Sequence, residues 1–256
     1  MKTHLFRLEC LTDMHVGNGE ANYNIIDNEV QKDTVLADVP IIHASGVKGA
    51  LKEHFEQLWG ENDAQIKNIF GDSEDAGRYK FFTAFCVARP LRVSSGDCPY
   101  VLAAGMDALR SFSALLEGLG LSSFYQYREL AFDNAFASNV PNIEIEGESA
   151  QKVDSDPSDP LQRLIGPEFA VAKTLRGYDL PVRARNALDD NGLSKNLWYE
   201  ELVPHKSIFY FAVITPEDTC GLEFEKGRPV QFGGNASIGN GYASITKMDV
   251  AEVVLK

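Results

Sequence analysis

Short runs with a two-residue apolar repeat alternate along this chain with longer runs whose apolar residues recur every three or four positions. That interleaving confines the chain to a fold of mixed strands and helices. Residues 4–11 (HLFRLECL) alternate as a half-buried strand does. Ser45 stands where a cap belongs for a helix starting near Gly46, with Val47, Ala50, Leu51, Phe55 and Leu58 at helical spacing and Gly60 just past its end. Residues 64–69 predict a further helical turn ending at Phe70 and Gly71, residues 79–91 a strand and its continuation, and residues 106–119 a helix. Residues 196–203 and 207–214 read as two strands separated at Pro204, and residues 242–248 as the last strand. The order predicts an α+β fold with helices on one face of a mostly antiparallel sheet. Segments 12–44, 120–160 and 165–195 remain as long loops, which in a compact domain usually carry function or bind partners. Within 140–160, Glu144, Glu146, Glu148, Asp154, Asp156 and Asp159 face Lys152 alone, so this stretch reads as an extended insertion outside the core.

Of 256 residues, 44% are hydrophobic and 24% charged, as in an ordinary globular protein. No apolar run is long enough to cross a membrane, and the opening residues lack a signal peptide's apolar region. Cys10, Cys86, Cys98 and Cys220 are scattered without a CxxC pair. They predict neither a disulfide framework nor a structural zinc site, and a cytoplasmic chain is expected. A net charge of −13 taken alone argues against a free nucleic-acid binder. Binding depends on local placement, however, and an acidic back with a basic groove is allowed.

Four features carry possible chemistry. The helix start Ser45-Gly46-Val47-Lys48-Gly49-Ala50-Leu51-Lys52 offers exposed N–H groups and two lysines on one face, a plausible phosphate site. It lacks Walker A spacing, and a capped helix with a solvated lysine pair is the plainer account. Gly233, Gly234, Gly239 and Gly241 crowd one loop with Asn235, which permits close approach to a ligand but lacks the dinucleotide-binding register. Residues 180–203 read as a hairpin turning at Asp190-Asn191-Gly192, with Arg183 and Arg185 on one side. Such an arm can lie along a nucleic-acid backbone or simply be solvated. The histidines show no HExxH and no GxSxG is present. Asp27 lies beside Ile25 and Ile26 in a long loop, where a lone aspartate is usually a turn or cap residue.

Five stretches run in order over residues 11–245: LTDMHVGNG with NIIDNEVQKD, IIHASGVKGALK, IFGDSEDAGRYKFFTAFCVARPLRVSSG, LPVRARNALDDNGLSKNLWYEELVP and QFGGNASIGNGYASI. Together they resemble the RAMP superfamily, and within it the repeating backbone subunit of type III-B CRISPR RNA-guided (Cmr) complexes. The resemblance implies one domain over 1–256, a modified ferredoxin-like (RRM-related) palm. Its insertions fall at about 12–44 (the loop carrying Asp27), 120–160 (an acidic lid) and 165–205 (a thumb hairpin). Implied partners are a guide RNA, a single-stranded target RNA, copies of the chain stacked head to tail, and other subunits of the complex. The implied activity is endoribonuclease cleavage of the target at regular intervals, where each thumb displaces a base. Asp27 would act with Mg²⁺ or another divalent metal, and His15 as acid or base. Ser45, Gly46, Lys48 and Lys52, with Gly233, Gly234 and Asn235, would hold guide backbone, and Arg92, Arg183 and Arg185 would add charge. A non-catalytic RNA-binding subunit and a stand-alone guide-processing nuclease are the rival readings.

Overall fold

The run Ile208–Thr215 (IFYFAVIT) is apolar without alternation, the pattern of a strand covered on both faces, and it forms the centre of the sheet. The computed structural model describes residues 1–19, 25–36, 38–121, 142–153, 160–172, 175, 180–216 and 220–248. Most of the expected lid, residues 122–141 and 154–159, lies outside the described residues. The strands are β1 (Lys2–Cys10), β2 (Lys32–Asp33), β3 (Val39–Ile42), β4 (Lys80–Phe81), β5 (Ala84–Ser95), β6 (Tyr100–Gly105), β7 (Asn142–Ile145), β8 (Glu148–Val153), β9 (Phe169–Ala172), β10 (Val182–Leu188), β11 (Ser194–Glu201), β12 (Ile208–Thr215), β13 (Val230–Gln231) and β14 (Tyr242–Met248). The helices are α1 (Ala44–Trp59), α2 (Ala64–Phe70), α3 (Met106–Gly118) and the single turn α4 (Pro160–Leu164).

The main sheet runs β13-β14-β1-β12-β5-β6-β9-β8-β7. Its pairings are antiparallel except β6 with β9. The expected α+β mixture of strands and helices is present; the expected confinement of the helices to one face is not, and the structure corrects it. Phe6, Leu8, Phe209 and Phe211 pack under α1 and α2 with Val47, Leu51, Phe55 and Phe70. Leu5, Ile208 and Tyr210 meet Leu109, Phe112 and Leu116 of α3 and Leu161 of α4 on the opposite face. The Phe6 and Phe211 rings stack 5.2 Å apart on the first side, while Tyr210 packs on Phe112 and donates to the Leu164 carbonyl at 2.7 Å on the second. Both faces of β12 are apolar, so both attract a helix; each such aromatic contributes about 1.5–3 kcal/mol of burial.

The long loops also need correction. Segment 12–44 contains the β2–β3 hairpin, whose second strand joins β5 at Ile41 and Ile42. The acidic stretch contributes the β7–β8 hairpin, with Ile143, Ile145, Ala150 and Val153 buried. Its acids alternate outward while its small apolar residues face in, a period-two pattern that the charge count masks. Because β7 also pairs back onto β5, strands β5-β6-β9-β8-β7 close a five-stranded ring. Ala103, Ala150, Ala170 and Ala172 are fully buried within it beside Leu91, Val93, Val101, Ile143 and Ile145, so small and large side chains together fill the ring. Among the described residues no helix is long and apolar enough to cross a membrane, and all four cysteines are free.

His54 on α1 is buried between the Phe55 and Phe224 rings, and its Nε2 has no partner among the described residues. Burial, and then the charge of Arg228, lower its pKa from 6.5 against an opposing pull from Glu225. Burial followed by Lys247 and Lys2 lowers that of His4, which meets the Thr215 hydroxyl at 3.0 Å. The unfolded chain therefore takes up protons first as the pH falls. Stability is complete above 6.5 and is lost as the pH drops through the lowered folded-state values. Thermal melts from pH 8 to 5 should show a steeper acid loss in the wild type than in His54→Leu. Parallel curves would remove His54 from that account.

Candidate functional site

Among the strands, β10 and β11 pair only with each other, from Val182↔Glu201 to Leu188↔Ser194, and form a ribbon apart from the main sheet. The Asp189 Oδ1 accepts the Asn191 and Leu193 N–H groups and tightens the turn. Leu188, Leu193 and Leu197 near the tip are 61%, 66% and 53% exposed, an unusual dispersal of leucine into solvent. A two-stranded ribbon is marginal alone, so contacts at its base fix where it stands.

Those contacts centre on Glu200. The register puts Arg183 and Arg185 on one face, as expected, together with Trp198 and Glu200. Arg185 Nη1 donates to Glu200 Oε2 at 3.1 Å, Trp198 Nε1 to Oε1 at 2.9 Å, and Asn235 Nδ2 from the glycine-rich loop to Oε2 at 3.0 Å. The Arg185 guanidinium lies 5.8 Å over the Trp198 ring. Burial works against the Glu200 charge, but the Trp198 and Arg185 hydrogen bonds, with the charges of Arg185 and His15, hold its pKa below the usual carboxylate value. Arg185 is thus engaged within the protein. Arg183 remains half exposed, its Nη2 donating to Asp13 Oδ2 at 2.7 Å, while Asp13 Oδ1 accepts the His205 N–H at 3.0 Å.

Asp27 comes to the open edge of β11. Its Oδ2 accepts the Tyr199 N–H at 2.7 Å, and the Tyr199 carbonyl accepts the N–H groups of Asp27 and Asn28, both at 3.1 Å. The Glu201 N–H donates to Asn28 O at 2.9 Å. Buried Glu201 then holds the rest of the loop, its Oε2 accepting the Val30 N–H at 3.1 Å and its Oε1 lying 2.8 Å from Lys32 Nζ. The Asp27 side chain is exposed, and its Oδ1 has no partner among the described residues. His15 joins the same strand from the buried side. Its Nδ1 lies 2.8 Å from the Glu201 carbonyl, which can only accept, so Nδ1 carries the proton and Nε2 is the nitrogen left for other work.

The glycine-rich loop closes over His15: Gly234 N–H donates to the His15 carbonyl at 2.9 Å. Gly233 has φ +74°, and a Cβ there would collide with that same carbonyl, so only glycine serves. The start of α1 is a separate piece. Its N-cap is His43, without a side-chain cap bond; Ser45, expected as the cap, sits within the first turn because β3 feeds the helix two residues earlier. Ser45, Lys48, Gly49 and Lys52 line a cavity of about 370 Å³ shared with Phe70, Gly71, Asp72 and Ser73. Gly46 packs its α-carbon close to Ile42. Lys52 is partly occupied, 3.5 Å from Gly71 O and 3.7 Å from Glu56. Arg92 is exposed on the ring half of β5, opposite Tyr100, and shares no hydrogen bond or ion pair with the cluster among the described residues. Glu200, Glu201, Asp13 and Gln31 were missed by sequence reasoning. The available signal was two adjacent acids ending the strand SKNLWYEE, which must face opposite sides of it, so that at least one points inward.

Among the described residues no three His, Cys, Asp or Glu side chains converge as a metal cage does. One exposed carboxylate oxygen fits a hydrated divalent cation only if other ligands arrive with it.

The RAMP superfamily model matches residues 7–244. The CRISPR system Cmr endoribonuclease Cmr4 of Pyrococcus furiosus is 26% identical over 290 aligned positions, covering 98% of this chain and 97% of that protein. A chain of the type III-B Cmr-beta complex bound to cognate target RNA superposes with a TM-score of 0.81 at 21% identity, over 99% of both chains. Oligomeric Cmr4 from Pyrococcus furiosus gives 0.60 at 18% identity, over 96% of this chain and 98% of that one. The ring, the ribbon and the Asp27 loop therefore stand on a frame of known descent, and the chain belongs to the RAMP superfamily.

Proposed function

We propose that this chain is a guide-RNA-binding backbone subunit of a type III-B CRISPR effector and an endoribonuclease that cuts complementary target RNA at regular intervals. The observation that carries the reading is the Asp27 Oδ2 bond to Tyr199 N–H, which joins an exposed carboxylate to a projecting ribbon with an apolar tip. The names of the relatives agree with it: a Cmr endoribonuclease, an oligomeric Cmr4, and a Cmr-beta chain seen with cognate target RNA. Copies stacked head to tail make a heterologous contact that repeats without closing, so sites recur at one spacing. The body is the ferredoxin-related palm and the β10–β11 ribbon its thumb. A cytoplasmic place accords with four free cysteines.

Leu188, Leu193 and Leu197 form an apolar wedge against bases, and a nucleotide pushed out of the duplex has a free ribose. Its 2′-oxygen can then attack the next phosphorus in line; the O2′–P bond forms, the P–O5′ bond breaks, and O5′ leaves as a 5′-hydroxyl, taking a proton from water, with a 2′,3′-cyclic phosphate on the other product. Asp27 Oδ1, exposed beside the wedge, orients the 2′-hydroxyl and accepts its proton. His15, buried and committed through Nδ1, offers only Nε2 to the same task. Asp27 is the residue that would hold Mg²⁺ or another divalent metal, which would supply charge neutralisation when bound. Guide backbone lies along the first turn of α1, Lys48 and the Gly233–Gly234–Asn235 bend, with Arg183 and Arg92 adding charge.

The test is target cleavage by the reconstituted guide-loaded complex with Mg²⁺ and with EDTA. Evenly spaced products that vanish in EDTA are expected. Even spacing that persists in EDTA removes the metal, and an uncut target bound tightly leaves a purely structural subunit.

A further inference from the structure

Gln31, four residues beyond Asp27, uses every polar group it has. Its N–H donates to Val16 O at 2.9 Å and its carbonyl accepts the Ile41 N–H at 3.0 Å. Its side chain reaches two further elements: Nε2 donates to Gly17 O at 3.0 Å, and Oε1 accepts the His43 N–H at 2.7 Å. His43 is the N-cap of α1 and brings no side-chain cap of its own. The Gln31 carboxamide therefore does from the segment leading into β2 what the glutamine of a capping box does from within a helix. On its other side it grips the loop that carries His15.

We propose that Gln31 is a positioning residue that sets the entry of α1 against the Asp27 loop, so that guide backbone seated on α1 fixes where Asp27 meets the target. This rests on the function proposed above. The side chain is half exposed and touches none of the residues placed at the reacting phosphate, so it acts through geometry alone. The backbone pairs around it are independent of its side chain: Asn18 N–H still donates to Glu29 O, Ile41 N–H to Gln31 O and Gly234 N–H to His15 O. A variant lacking the carboxamide therefore keeps the fold while the two elements gain play. Small misplacements of a reacting group are costly in rate.

The experiment uses the full guide-loaded complex with Gln31→Met, which keeps length and volume without hydrogen bonds, and Gln31→Glu. For Gln31→Met, guide loading and the half-saturating target concentration should stay within about twofold while the single-turnover rate at saturation falls roughly tenfold. Gln31→Glu adds a signature that a packing role would not produce. As a carboxylate it repels the Gly17 carbonyl, and as a protonated acid it restores both bonds. Its rate relative to wild type should therefore climb as the pH falls from about 6 towards about 4.3, the ordinary glutamic acid value, while that of Gln31→Met stays level. A wild-type rate for Gln31→Met, a loss of guide loading equal to the loss of rate, or a level ratio for Gln31→Glu would each overturn the proposal. Asp27→Ala, run in parallel, separates the two failures. If it still cuts, the functional reading fails; if it does not and Gln31→Met cuts fully, only the role of Gln31 fails.

Discussion

Asp27→Ala should leave the guide-loaded complex assembled and its target uncut. The side chain is exposed and contributes one bond, to Tyr199 N–H, while the two backbone bonds from residues 27 and 28 to Tyr199 O survive the substitution. The fold thus loses little. On the function proposed above, the reaction loses its orienting carboxylate and proton acceptor, a change on the order of 10²–10⁴ in rate. Asp27→Asn sharpens the result, because its amide oxygen keeps the Tyr199 bond and loses the basicity. Rates measured on complexes shown by sedimentation to have full stoichiometry decide it. Equal cutting by wild type and Asp27→Ala would move the chemistry to another subunit.

The second large effect falls on the frame of the site. Glu200→Ala strips the acceptor from Arg185, Trp198 and Asn235 together, and the Glu200 and Arg185 side chains are only 8% and 20% exposed. An unpaired cation and two orphaned donors there cost about 2–4 kcal/mol. In a chain of this size that is a fall in Tm of roughly 5–15 °C. Calorimetry of the isolated chain measures it. The double variant Glu200→Leu/Arg185→Met should recover most of the loss, since it removes the charge left behind. If it melts with the single variant, the ion pair is not what holds the ribbon. Because the Glu200 pKa is held down in the fold, its contribution is present above its ordinary value of 4.5 and disappears as the pH falls through the lowered one.

Much of this was legible beforehand where local chemistry decides structure. The Asp190–Gly192 turn, the arginines on one face of the ribbon, the end of α1 at Gly60 and the limits of β14 all follow from short-range rules. The motif resemblance correctly gave the superfamily. What escaped was set by distant partners. Strands such as FAVA and ESAQKV have little strand character of their own and become strands because the ring closes around them. The doubly covered β12 was legible in principle, since IFYFAVIT has no polar face to turn to water. Glu200 and Glu201 were passed over because, Trp198 apart, their side-chain partners stand 15 to 171 residues away.

One strand, β5, serves both bodies: Ala84–Ala88 lies beside β12 and β3, and Arg89–Ser95 belongs to the ring. A slip of one residue would turn Pro90, Arg92 and Ser94 into the ring in place of Leu91 and Val93, and would also break step with β12. The two registers are therefore locked like gears on one shaft. In a stack of identical copies, error in the angle between such halves would add from one subunit to the next. A shared shaft keeps that angle constant, and a constant angle is what an even ruler along RNA demands.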